Sequence, residues 1–126
     1  MLKNPIGWFE IYVDDISRAR TFYETVLEVS LEKLDNPIEA ELEMWAFPSD
    51  MESYGATGAL VRMAGMPAGG NSMIVYFSCD NCAQEESRVA AAGGTVTQSK
   101  MAIGQYGFIS MAIDTEGNVF GLHSMV

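Results

Sequence analysis

Between Gly7 and Asp14 apolar side chains occupy both parities of the chain, with Trp8 and Tyr12 on one face and Phe9, Ile11 and Val13 on the other. A strand patterned in this way is covered on both sides. The period then changes. Asp14 and Asp15 supply a cap and first-turn negative charge, after which Ile16, Ala19, Phe22, Tyr23, Val26 and Leu27 recur at helical spacing. This predicts an amphipathic helix laid on a sheet. Strands are expected near Val29–Leu34, from Glu41 to Phe47 and from Ala59 to Met63, with Pro48–Gly58 as a long loop broken by Pro, Ser, Asp and Gly.

Gly65-Met66-Pro67-Ala68-Gly69-Gly70-Asn71 is the richest turn signal and lies near the midpoint of the chain. Beyond it the same order begins again: a strand Met73–Cys79, a helix Asn81–Ala92 ended by Gly93-Gly94, a strand Thr95–Ser99 and two closing strands. Val13-Asp14-Asp15-Ile16 superposes on Cys79-Asp80-Asn81-Cys82, which points to an internal duplication. Asp114-Thr115-Glu116-Gly117-Asn118 separates Phe108–Ile113 from Val119–His123 and reads as an antiparallel hairpin. The expected fold is α+β, one domain over residues 1–126 made of two βαβββ modules, 6–64 and 71–126. One helix covers one face of a four-stranded sheet, so the second face must be buried otherwise or line a cavity. Two such halves can close around a pocket.

At 126 residues the chain fits one domain. Its 48% apolar and 19% charged residues exclude disorder as the main state. Seven basic against seventeen acidic residues give a net charge of −10, which disfavours nucleic acid and anionic membrane as partners. A small organic ligand or another protein fits better. The longest apolar run, Met73–Phe77, is far short of the ~20 residues of a membrane helix. Met1-Leu2-Lys3-Asn4-Pro5 lacks the pattern of a signal peptide, and two cysteines are too few for a disulfide framework, so a cytoplasmic location is expected. Cys79 and Cys82 have the spacing of a redox or zinc pair but no second pair, and are read as small core residues.

Phe9-Glu10-Ile11-Tyr12-Val13-Asp14-Asp15, then Ala19-Arg20-Thr21-Phe22-Tyr23, with Asp114-Thr115-Glu116-Gly117-Asn118 and Gly121-Leu122-His123, resemble the vicinal-oxygen-chelate superfamily. That group holds glyoxalase I, bleomycin-resistance proteins and extradiol dioxygenases. The resemblance implies a curved mixed sheet around a cavity, and a homodimer. In metal-dependent glyoxalase-like members, four His, Glu or Gln ligands sit on the first and last strands of each half. By register with the shared motifs those places fall here on Trp8, on the strand Ala59–Met63, on Ile74 and on Gly121, none of which suits a metal. No cofactor is therefore expected at the usual positions, while a divalent metal at a shifted site stays open.

Alternation puts Glu10 on the face of Trp8 and His123 on the face of Gly121. A carboxylate between Trp8 and Tyr12 is costly to ionise unless paired, which makes Glu10 a candidate general base and His123 a candidate proton carrier or oxyanion partner. Trp8, Tyr12, Tyr76 and Phe108 offer flat apolar surface with polar tips, and Arg62 a guanidinium for an anionic group. Two readings follow: a metal-independent, bleomycin-resistance-like binding protein for a small molecule, or a glyoxalase-like lyase or isomerase using Glu10 and His123. A protein-binding module around the loop Pro48–Gly58 is a third.

Overall fold

The computed structural model describes residues 6, 8–35, 41–50, 52–70 and 73–126. The expectations for Met1–Pro5, for Gly7 as the start of the first strand and for Asn71 as the end of the linker lie outside these residues. The first module runs β1 (Phe9–Tyr12), α1 (Ile16–Leu27), β2 (Glu32–Lys33), β3 (Leu42–Ala46) and β4 (Gly58–Met63). The second runs β5 (Val75–Ser78), α2 (Cys82–Val89), β6 (Thr95–Ala102), a short 3₁₀ turn at Gly104–Tyr106, β7 (Phe108–Ile113) and β8 (Val119–Ser124). Each module makes one four-stranded sheet, in the orders β1-β4-β3-β2 and β5-β8-β7-β6. The pairs β1/β4 and β5/β8 are parallel and the others antiparallel, so both sheets are mixed and neither closes on itself. Among the described residues no helix is long and apolar enough to cross a membrane.

The duplication is exact in its opening elements. Phe9, Tyr12, Asp15 and Ile16 have the same structural roles as Val75, Ser78, Asn81 and Cys82: strand start, strand end, helix cap and first helical residue. Asp15 caps α1 as the sequence predicts, its carboxylate accepting from Arg18 N at 3.0 Å, whereas Asn81, expected as the first residue of the second helix, is instead its cap, with the side-chain carbonyl accepting from Ala83 N at 3.1 Å. Helix α2 stops at Val89, short of the predicted Ala92. Gly94 N donates to Val89 O at 3.0 Å across a turn in which Gly93 takes φ +103°, a left-handed backbone that glycine adopts without strain. Strand β6 runs past the predicted Ser99 to Ala102. Its register against β7 shifts between Val96 and Gln98 and again before Met101, so no period-2 pattern marks its length.

The core lies between the helices and one face of each sheet. Ala19, Phe22, Tyr23 and Val26 of α1 are at most 1% exposed. Phe22 and Tyr23 meet Phe120 of β8 at ring distances of 5.8 and 5.5 Å, and Phe9 meets Phe77 of β5 at 5.9 Å, mostly edge to face. These contacts join the modules into one apolar interior. The first strand corrects one expectation: Phe9, Ile11 and Val13 do face the core, but Trp8 on the other face is 42% exposed. Among the described residues no helix or strand is laid over that face, and it forms a cleft.

The turn between β7 and β8 fastens the modules together. Tyr23 OH donates to Asp114 Oδ2 at 2.6 Å, and Asn118 Nδ2 to the Tyr12 carbonyl at 3.0 Å. Burial, and then the Asp114 charge and hydrogen bond, push the Tyr23 phenol well above its usual range. Glu116 accepts from Asp14 N, Asp15 N, Arg18 and Thr115 Oγ1, so a carboxylate of the second module closes the start of α1 in the first.

Candidate functional site

A cleft of about 1020 Å³ opens between the uncovered side of β1 and the N-terminal ends of β5 and β8. Trp8, immediately before β1, and Glu10 and Tyr12 of β1 line it, as the alternation of side chains requires. Trp8 Nε1 donates to Glu10 Oε2 at 3.2 Å and Tyr12 OH to Glu10 Oε1 at 2.9 Å. One carboxylate thus holds the edges of the two rings beside it on its own strand. The hydrogen bond to Glu10, with burial and the Glu10 charge, raises the Tyr12 phenol above its usual range.

The opposite wall is Met73, Ile74, Val75 and Tyr76. Tyr76 pairs in register with Gly121 and its ring lies over that glycine, so a Cβ there would collide with it. On β4 the residue beside Glu10 is Ala59, and Val61 is beside Tyr12. Both are buried. Met66 and Pro67 from the linker, Tyr54 from the loop after β3 and Asn118 from the turn before β8 complete the rim.

Sequence reasoning placed Trp8, Glu10, Tyr12 and Tyr76 here, and the structure brings these four together. It does not bring the other three. Arg62 shares its strand face with the core residue Leu60, on the helix side of the sheet. Phe108 has the parity of the core residue Ala112 and packs under Lys100, whose ammonium lies 4.6 Å from its ring centre. His123 is at the C-terminal end of β8, while the cleft reaches only Val119 and Phe120 of that strand. Its Nε2 is 2.7 Å from the Tyr106 carbonyl, an acceptor that requires the proton on that nitrogen. Glu10 and His123 therefore do not share the cleft of this chain. Sequence reasoning missed Tyr54, Met66 and Asn118. The Pro48–Gly58 loop and the glycine-rich linker marked the segments of the first two without indicating where they would fold.

Among the described residues no three His, Cys, Asp or Glu side chains are disposed to share a metal ion. Cys79 and Cys82 are free thiols packed at the strand-to-helix junction, Cys82 fully buried. Burial, then the charge of Glu85 and the neighbouring Cys82, push the Cys79 thiol up to about 12. At pH 8 native protein should react with an aromatic disulfide reagent roughly a thousandfold more slowly than a free thiol. Full reactivity should return in 6 M guanidinium chloride; rapid reaction of the native protein would contradict this packing.

The fold has many counterparts. Maize (Zea mays) glyoxalase I, as a V278E mutant, superposes with a TM-score of 0.75 at 19% identity, covering 96% of this chain and 46% of the maize chain. The chain thus spans slightly under half of the maize enzyme. Leishmania major glyoxalase I, described as trypanothione-dependent, gives 0.71 at 15% identity over 98% of this chain and 88% of its own. A glyoxalase/bleomycin resistance protein of Albidiferax ferrireducens gives 0.68 at 17% over 96% and 98%. No curated protein matches the sequence. A family model matches residues 5–122, and on that match the chain belongs to the Glyoxalase/Bleomycin resistance protein/Dioxygenase superfamily.

Proposed function

We propose that the chain binds a small molecule in this cleft, in the manner of bleomycin-resistance-like members, without a metal at the place the family's metalloenzymes use. One observation carries the reading. By the register that the family resemblance implies, the metal-ligand places would fall on Trp8, on the strand Ala59–Met63, on Ile74 and on Gly121, which lies under the Tyr76 ring. None of these has a lone pair suited to a divalent ion, and Glu10 is the single carboxylate lining the described cleft. The residues present do not fit the metal, and the apolar walls with a few polar tips fit a small organic guest. Cytoplasmic residence belongs to the same reading, supported by two free cysteines. So does a homodimer, supported by the exposed Ile6, Trp8, Met73 and Tyr76 at the cleft.

The test is a thermal-shift screen of small aromatic compounds on protein treated exhaustively with chelator. A ligand at a hundredfold excess over its Kd should stabilise the fold by about 2.7 kcal/mol and raise Tm by several degrees. Binding should be the same before and after chelation. Loss of binding on chelation, or no hit across a broad panel, overturns the reading.

A second reading, a glyoxalase-like lyase or isomerase, rests on the placement of Glu10. Each of its oxygens has a lone pair left after the bonds from Trp8 and Tyr12 and can take a proton from a bound carbon acid. Exchange of the carbon-bound proton of an α-hydroxycarbonyl compound with solvent deuterium, lost in Glu10→Gln, would support it. Binding of such a compound without exchange would refute it.

A further inference from the structure

We propose that the cleft selects a flat organic cation, with Glu10 as its counter-ion; this deepens the small-molecule reading and rests on it. Glu10 is the only side chain with a full charge among the described residues lining the cleft. None of the ion pairs among the described residues involves it. Its two partners, Trp8 Nε1 and Tyr12 OH, are neutral donors that fix the carboxylate in place and leave its charge uncancelled. Each oxygen still has a lone pair for a third donor.

The surroundings choose the ligand's sign. A neutral apolar guest filling the space between Trp8 and Tyr76 would strip water from Glu10 and give nothing back. An anion would meet the carboxylate and a chain of net charge −10. A cation restores what the carboxylate loses. It also finds the faces of Trp8 and Tyr76, which are 42% and 46% exposed, and the negative side of an aromatic ring attracts it. The Met66 side chain at the rim adapts to the outline of a flat body. Arg62, the guanidinium expected from the sequence to hold an anionic group, lies on the other face of its sheet, which removes the nearest reason to expect an acidic ligand.

The experiment compares three guests of one shape by titration calorimetry at low ionic strength: 1-methylquinolinium, 1-methylnaphthalene and 1-naphthoate. The cation should bind at least about tenfold more tightly than the neutral compound, and more weakly as salt is added. Glu10→Gln should weaken the cation about tenfold and bind the neutral compound no more weakly than wild type does, since the amide costs less to desolvate than the carboxylate. Glu32→Gln removes the same charge from β2, on the opposite edge of the sheet from β1, and should alter neither. Equal or tighter binding of the neutral compound or the anion would overturn cation selection while leaving the cleft a ligand site. So would an unchanged cation affinity in Glu10→Gln, or an equal loss in Glu32→Gln. Failure of all three guests to bind would overturn the small-molecule reading together with the selection built on it.

Discussion

Glu116→Ala is expected to lower the unfolding free energy by roughly 2–3 kcal/mol at neutral pH, measured by urea denaturation. The side chain is fully buried and accepts from Arg18 Nε at 2.6 Å, from Arg18 Nη2 at 2.9 Å and from the backbone of Asp14 and Asp15 at 3.1 and 3.0 Å. Truncation leaves two backbone N–H groups at the start of α1 without their acceptor and Arg18 without its counter-ion. Breaking a buried pair costs about 3–5 kcal/mol, and the half-exposed Arg18, which water can rescue, places the figure below that range. The same carboxylate sets an acid limit. Burial alone would raise its pKa, but the bonds from Arg18, Asp15 N, Thr115 and Asp14 N outweigh burial and hold it at about 2, against an ordinary 4.5. Its native pKa lies below its unfolded one, so this stabilisation is fully present above pH 4.5 and is lost as the pH falls towards 2. Wild type and Glu116→Ala should therefore differ most at pH 7, with the gap narrowing below pH 4.5 and closing as the pH passes through about 2. A gap of the same size at both pH values would show that the ionised form is not what matters.

Much of this architecture was legible because local signals agreed with the global fold. Asp15 read as a cap by residue type alone, and the hairpin around Asp114–Asn118 was marked by its turn. The cleft face of β1 was legible for the same reason: alternation fixes Trp8, Glu10 and Tyr12 on one side whatever surrounds them. Alternation also shows why Arg62 and Phe108 were misplaced. Each was assigned to the pocket by chemistry, while its parity with Leu60 or Ala112 puts it on the helix side. His123 has the right parity, but its position along the strand takes it past the end of the cleft, and a facing pattern does not encode that distance. Glu116 lay inside a motif read for its turn. Its partners at Asp14, Asp15 and Arg18 are about a hundred residues away, beyond any local pattern.

Phe120→Ala should be the most damaging single truncation, costing about 3–5 kcal/mol. Phe120 is 1% exposed and packs against Phe22 and Tyr23 of the first module and Phe77 of the second. Its removal leaves a void bounded by three rings on two elements, α1 and β5, which cannot all move inward without breaking the Tyr23–Asp114 bond. The modules repeat one element order, and independent units would unfold one after the other. The shared aromatic interior argues that they unfold together. Two probes separate these outcomes: Trp45 fluorescence, reporting β3 of the first module, and the reactivity of Cys82, reporting α2 of the second. In wild type and in Phe120→Ala both probes should give one midpoint, moved to lower denaturant in the variant. If the Cys82 transition moved while Trp45 stayed in place, Phe120 would stabilise only its own module, and the interior joining the two halves would not be the source of their cooperativity.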